Sequence, residues 1–279
     1  MQATPSTILC AERASGPLSL GLLVGGMRQR LHFQHRHTQF LMLDAGGDDA
    51  LHVVADHIAA GIDPHKIAVF EPARVPELAE LRTRFADLAP AGTVHTTALL
   101  AALQPSFVSP QAASAADVTA ANQIVRGINA RAGVMLLAEA QPLLAQRSPF
   151  NAPRVALDVP FSADVDTLAR AIDAIPAGAT LGLPARETEG HPLFQLLEIF
   201  EADIHFQDDL KAKFRRGGLS ERVIRAHLGD CAERFLAPLR ERRTALLAER
   251  NALQRVLADG ARVASQAAAT ALQRLRAAA

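Results

Sequence analysis

Two aromatic residue types are missing from the chain altogether. Its 279 residues include no Trp and no Tyr, so platforms for stacking nucleic-acid bases would have to come from twelve Phe residues. Lysine is scarce too, with only Lys66, Lys211 and Lys213. The two cysteines, Cys10 and Cys231, are too few for a disulfide framework or a four-cysteine zinc site, and they indicate a reducing compartment.

An excess of one charge and a long apolar run are also lacking. Lys and Arg together number 29, as do Asp and Glu, which excludes a protein that binds nucleic acid mainly through net positive charge. The longest apolar stretch, residues 18–27, contains three glycines and is too short to span a bilayer. The N-terminus shows no targeting pattern. We therefore expect a cytoplasmic protein without membrane association.

The first half of the chain alternates between short apolar runs and segments with helical spacing. This alternation predicts a doubly wound parallel sheet with crossover helices. The predicted strands are residues 6–10, 40–43, 68–70 and 134–137. The predicted helices of this half are residues 18–37, 51–60, 75–86, 98–103, 120–132 and 165–175.

After Gly190 the pattern becomes helical throughout. The predicted helices are residues 193–200, 206–215, 221–236 and a tail from residue 239 onward, which has an apolar stripe. We expect a Rossmann-like domain over residues 1–180, followed by an all-helical domain over residues 185–279.

Four local strings, in this order, resemble the tryptophanyl-tRNA synthetase family of class I synthetases. They are residues 59–66 (AAGIDPHK) with the nearby 75–81 (VPELAEL), residues 190–200 (GHPLFQLLEIF), residues 211–219 (KAKFRRGGL) and residues 235–243 (FLAPLRERR). The resemblance implies a nucleotide-binding sheet, a helical domain that contacts the tRNA anticodon, and a homodimer. In the family, ATP and tryptophan form an adenylate, which is then transferred to tRNA.

The resemblance also locates the positions that would hold ATP phosphates. The family has a His-Ile-Gly-His type of motif at the start of the first helix, where Ser15, Gly16, Ser19 and Gly21 lie in this chain. Ser19 occupies the place of the first His, and Leu22 that of the second. A leucine cannot donate a hydrogen bond to a phosphate, although Gly21 still lets an adenine ring approach closely.

Three further family elements are weakened. The mobile lysine-rich loop corresponds to residues 150–154, where Arg154 is the only cation, and no lysine occurs between Lys66 and Lys211. The acidic motif corresponds to residues 111–114 (QAAS), which have no carboxylate, and the connection over residues 93–110 is too short for the tryptophan-pocket helix. The family has an Asp-His pair after the second strand, and of this pair only Asp44 is present here.

These losses predict a synthetase-like protein without aminoacylation activity, so no cofactor is expected. It would bind tRNA or another RNA, a tryptophan-like or adenosine-like small ligand, or a partner protein. One alternative is an active ATP- and magnesium-dependent tryptophan–tRNA ligase with altered signatures. Another is a structural partner subunit of a second synthetase-like chain.

Two polar clusters have competing interpretations. His52 and Asp56 have metal-ligand spacing on one helix, but a solvated helix face is the favoured interpretation, and we expect no metal. In the helical half, four arginines are candidates for RNA contact: Arg215, Arg216, Arg222 and Arg225. Surface ion pairs with neighbouring glutamates are the alternative.

Overall fold

The computed structural model describes residues 6–13, 17–44, 47–89, 92–143 and 159–278. Contacts divide the chain into two units that do not follow its linear order. The first, here the sheet unit, comprises residues 1–16, 30–149 and 246–279. The second, here the helical unit, comprises residues 17–29 and 150–245. The expected domains at 1–180 and 185–279 stay a prediction.

A five-stranded parallel sheet forms the centre of the sheet unit, which confirms the predicted fold class. The strands are β1 (Thr7–Arg13), β2 (Thr38–Asp44), β3 (Ile67–Phe70), β4 (Phe107–Val108) and β5 (Gln141–Pro142). Their order is β3-β2-β1-β4-β5. Leu9 is paired with Phe40 on one side and Val108 on the other. Because all strands are parallel, their carboxyl ends meet at one edge, where ligands bind in open α/β sheets.

Helices cover the sheet and supply most of the core of this unit. They are α3 (Asp48–Ala59), α4 (Pro76–Phe85), α5 (Val94–Leu103), α6 (Ala115–Ala132) and α11 (Arg250–Ala277). In α5, residues 97–103 are all buried, so this part of the helix is enclosed on every side. From α11, Ala264, Ala268 and Leu272 enter the same apolar cluster.

The first helical segment is less regular than predicted. Residues 18–37 were expected to form one helix, whereas the structure has α1 (Leu20–Leu22), a π-helical stretch (Leu23–Met27) and α2 (Arg28–Phe33). The π-helical stretch contains Gly25 and Gly26, which have low helix propensity. Such π-helical turns inside α-helices are frequent at functional sites.

The remaining helices belong to the helical unit, and α10 differs from the prediction. They are α7 (Val165–Asp173), α8 (Pro192–Phe200), α9 (Ile204–Arg215) and α10 (Glu221–Ala248). The predicted break at Pro238 is wrong, because α10 continues through this proline. The helix instead ends just before Glu249, whose backbone leaves the helical region.

The predicted strand at residues 134–137 is also wrong. Val134 and Met135 are exposed, at 58% and 84% of their surface, and the last strand begins at Gln141. The first half of this apolar run is exposed, and Leu137 is buried in the core without forming a strand. Among the described residues, no helix combines the length and apolar character needed to cross a bilayer.

Candidate functional site

A cleft of about 910 Å³ opens at the carboxyl ends of four strands in the sheet unit. The chain reaches it from Glu12 near the end of β1, Asp44 at the end of β2, Glu71 directly after β3, and Gln111 after β4. Helices α4 and α5 complete the lining. This is the edge at which a doubly wound sheet places its ligand, and the volume is at the upper end for small-molecule pockets.

Carboxylates outnumber cationic side chains in the lining of the cleft. Three carboxylates, Glu12, Asp44 and Glu71, line it, and among the described lining residues Arg82 is the one arginine or lysine. The walls between them are apolar; they include Met42 and, from the start of α4, Val75 and Leu78. A lining of this kind favours an apolar ligand that carries a positive group over a polyanion.

Arginine side chains pair with the two inner carboxylates, Glu12 and Glu71. Glu12 Oε2 lies 2.7 Å from Nη2 of Arg30, which is only 5% exposed. Glu71 forms an ion pair with Arg74, one helical turn further along the chain. Because each of these carboxylates already faces an arginine, its negative charge is largely balanced within the chain. Asp44, by contrast, is exposed at the rim.

Arg30 also fixes the protonation state of a buried histidine. Its Nη1 lies 2.9 Å from Nε2 of His57, and because arginine only donates, Nε2 accepts. The other ring nitrogen, Nδ1, therefore carries the proton and donates to the carbonyl of Val53 at 2.8 Å. Burial, together with the charge of Arg30, lowers the pKa of His57 to about 3. The histidine is neutral at physiological pH.

His95 of α5 stands opposite Asp44 in the cleft lining. Partial desolvation lowers the pKa of His95, and the charge of Arg82 lowers it further, while Asp44 acts in the other direction. The imidazole is therefore mostly neutral at pH 7 and can both donate and accept a hydrogen bond.

The structure places the predicted nucleotide-site residues in different surroundings. Asp44 lines the cleft. Ser19 lies in the helical unit and caps α1, where its hydroxyl accepts the N–H of Leu22 at 3.2 Å, and Gly21 is within α1. The other three predicted residues lie outside the described part of the chain: Ser15, Gly16 and Arg154.

The four candidate arginines for RNA binding are not equivalent. Arg216 and Arg222 are exposed, and Arg215 donates to the hydroxyl of Thr188. Arg225 is committed to carbonyl oxygens at the end of α7. Contact with RNA stays a prediction for this set.

Sequence reasoning missed several residues that the structure brings together. Glu12 and Glu71 follow apolar strand runs, so their positions at strand ends could have identified them. A second group consists of Glu201, His227 and Cys231 in the helical unit, whose ligand-type atoms all lie within 4.8 Å of one another. His227 and Cys231 are four residues apart on α10, a spacing that the sequence displays.

Comparison with known proteins gives a consistent result. No protein-family model matches the chain. Tryptophan–tRNA ligase from Clostridium longisporum is 24% identical over 96% of this chain and 95% of its own length. The Streptococcus pyogenes enzyme is 23% identical over 99% and 98%. The Clostridium alignment spans 325 positions, at least 46 more than this chain has residues, so that relative carries internal segments absent here.

Solved structures support the same fold. Tryptophanyl-tRNA synthetase from Campylobacter jejuni, complexed with ADP and tryptophan, superimposes with a TM-score of 0.82 at 18% identity, covering 97% of this chain and 98% of the other. The Mycoplasma pneumoniae synthetase gives a TM-score of 0.74 at 14% identity, covering 98% and 97%. The expected resemblance to this family of class I synthetases is confirmed over nearly the whole chain.

Proposed function

We propose that this tryptophanyl-tRNA synthetase-like chain binds an amine-bearing aromatic ligand, such as tryptophan, in its cleft without activating it with ATP. The observation that carries the proposal is the convergence of Glu12, Asp44 and Glu71 on an apolar cavity at the carboxyl edge of the sheet. An ammonium group suits Asp44, which is exposed at the rim, and an aromatic ring suits the walls formed by Met42 and Leu78.

The residues at the ATP positions support the absence of activation. Ser19 is engaged as a helix cap, and Leu22 has no polar group to offer a phosphate. No lysine lies between Lys66 and Lys211. Pyrophosphate departure requires positive charge placed where negative charge develops, and these positions provide little of it. ATP and magnesium would be required only if the chain were active.

The second candidate is an active tryptophan–tRNA ligase. The names of the sequence relatives favour it, and their similarity extends over nearly the full chain. Under either proposal the protein is expected in the cytoplasm, and tRNA binding and homodimer formation are carried over from the resemblance. The apolar side of α4 does not argue for a dimer, because Leu78, Leu81 and Phe85 are buried within the chain.

One assay separates the two candidates, and a second tests the ligand. Tryptophan-dependent exchange of pyrophosphate into ATP should be absent; its presence would establish the ligase. Because the chain has no Trp and no Tyr, the indole fluorescence of added tryptophan can be followed directly against almost no protein background. We expect a saturable change in anisotropy.

A variant pair then locates the bound ligand. Asp44→Asn should weaken tryptophan binding by about threefold to tenfold, because it removes one carboxylate that faces the ammonium. Asp173→Asn, at the end of α7 in the helical unit, is the control and should bind as the parent does. Equal binding by all three proteins would reject the cleft as the site.

A further inference from the structure

Three side chains of different donor chemistry converge in the helical unit, and none of them lines the cleft. Glu201 lies directly after α8, whereas His227 and Cys231 are one turn apart on α10. Nε2 of His227 lies 2.9 Å from Oε2 of Glu201. Sγ of Cys231 lies 3.3 Å from both atoms. We propose that these three residues form a zinc site, with water as the fourth ligand.

The donor set and its spacing suit zinc. Zinc accepts thiolate, imidazole and carboxylate ligands in a tetrahedron, with bonds of about 2.3 Å to sulfur and about 2.0–2.2 Å to nitrogen and oxygen. Such bonds separate neighbouring ligand atoms by about 3.4–3.6 Å. The three atoms therefore need to move apart by only a few tenths of an ångström to admit the ion. Three protein ligands and one open position is a known zinc arrangement.

A Cys-His-Glu nucleophile system does not fit the same atoms. In such a triad the nucleophile contacts one ring nitrogen and the orienting carboxylate contacts the other. Here Sγ of Cys231 and Oε2 of Glu201 both face Nε2 of His227. The three ligand atoms surround one common point, which is the arrangement that a metal ion requires.

The proposed zinc site is partly shielded from solvent, and the guanidinium of Arg234 competes with zinc for its ligand atoms. Cys231 is 1% exposed, and the ring of Phe206 packs edge-on against His227 with 5.0 Å between centroids. Nη2 of Arg234 donates to Sγ of Cys231 at 3.1 Å and lies 3.7 Å from Glu201. Because the Arg234 side chain is 68% exposed, it can swing into water when zinc arrives. Binding replaces the thiol proton of Cys231, which leaves to solvent.

Metal titration of the full-length, untagged, chelator-treated protein tests the site. We expect one zinc per chain with a dissociation constant below about 10 μM, measured by competition with a chromogenic indicator. Cobalt in place of zinc should produce a thiolate-to-metal charge-transfer band. Cys231→Ser should abolish this band and weaken zinc binding at least about tenfold. Cys10→Ser, which alters the other cysteine, should change neither.

Two further variants keep the test decisive. His227→Gln should also weaken zinc at least about tenfold, and it serves if Cys231→Ser does not fold, as judged by circular dichroism. Arg234→Ala should tighten binding by about twofold or more, because it removes the competing guanidinium. Absence of zinc binding, or binding that survives both Cys231→Ser and His227→Gln in folded protein, would overturn the proposal.

Discussion

Gly260 of α11 lies directly against the backbone of Val69 in the edge strand β3. A Cβ atom on Gly260 would be 1.9 Å from the carbonyl oxygen of Val69 and 2.8 Å from its nitrogen. The missing side chain is what allows the C-terminal helix to cover this strand. An uncovered edge strand is a template for pairing with other chains, so the glycine protects the sheet as well as packing against it.

We expect Gly260→Ala to destabilise the protein. Alanine favours a helix over glycine by about 1 kcal/mol, but here its methyl group meets backbone atoms that cannot rotate away. Overpacking of this kind costs about 1–3 kcal/mol, so after the gain in helix propensity the net loss should be up to about 2 kcal/mol. Chemical denaturation followed by circular dichroism would measure it.

Gly127→Ala provides the matched control for this variant. Gly127 lies within α6, and a Cβ there would meet nothing within 4 Å. The same substitution should therefore stabilise the protein by up to about 1 kcal/mol, since only helix propensity acts. Equal effects of the two alanines would contradict the close packing of α11 on β3.

A second prediction concerns the stability of the protein below neutral pH. The pKa of His57 is lowered to about 3 in the folded state, whereas an unfolded histidine titrates near 6.5. Between these values the unfolded chain binds one more proton at this residue. The contribution of His57 to the free energy of unfolding is therefore fully present above about pH 7. It falls by up to about 1.4 kcal/mol per pH unit as the pH drops toward 3.

Comparison with His57→Gln isolates this contribution. An amide can still accept from Arg30 and donate to Val53, but it does not titrate. Between pH 6.5 and 5 the free energy of unfolding should fall more steeply in the parent than in the variant. If the free energy of unfolding depended on pH in the same way in both proteins, His57 would bind protons equally in the folded and unfolded states.

The sequence predicted the strands correctly where apolar runs end at turn residues. It failed where tertiary contacts outweigh the local secondary-structure preference of a residue. Residues 40–43 and 68–70 lie within observed strands β2 and β3 because both are buried runs. Pro238 signals a helix end, since it lacks an N–H group, yet α10 absorbs it and continues to Ala248. A sequence does not show which neighbouring contacts outweigh one lost hydrogen bond.

The cleft was only partly predictable. Asp44 was identified through the family resemblance, and it lines the cavity. His95 and Arg82 enter the same lining from helices, and no local pattern marks them because their approach depends on how α4 and α5 pack. In the other unit, the His227–Cys231 spacing is visible in the sequence, but Glu201 joins it only through the fold.

We expect ATP with magnesium to bind poorly. The triphosphate carries close to four negative charges, whereas Ser19, a helix cap, replaces the first His of the signature and Gly21 is its retained position among the described residues. A helix N-terminus contributes about 0.3–1 kcal/mol toward an anion. The dissociation constant should therefore be about 1 mM or weaker, equivalent to about −4 kcal/mol. Calorimetry would measure it, and low-micromolar binding would revive the ligase candidate.

The arginines of the helical unit differ in role: Arg225 holds backbone carbonyl groups, whereas Arg216 and Arg222 are exposed. Arg225 donates from Nη1 to the carbonyl of Ile172 at 2.5 Å and from Nη2 to that of Ile175 at 2.7 Å. These carbonyls belong to the last turn of α7 and the residues after it, where helices leave acceptors unsatisfied. Arg225→Met removes the donors and leaves the acceptors partly buried, which should cost about 1–3 kcal/mol of stability.

Arg222→Met, on the exposed side of the same helix, is the matched comparison. Its stability should stay within about 0.5 kcal/mol of the parent, because no buried group loses a partner. If this surface binds tRNA, Arg222→Met should weaken binding and reduce by about one the slope of log affinity against log salt concentration. Anisotropy of labelled tRNA at several salt concentrations measures this slope. An unchanged slope for both Arg222→Met and Arg216→Met would show that neither residue contacts RNA. The stabilising role of Arg225 would not be affected by that result, because it is tested by the unfolding measurements.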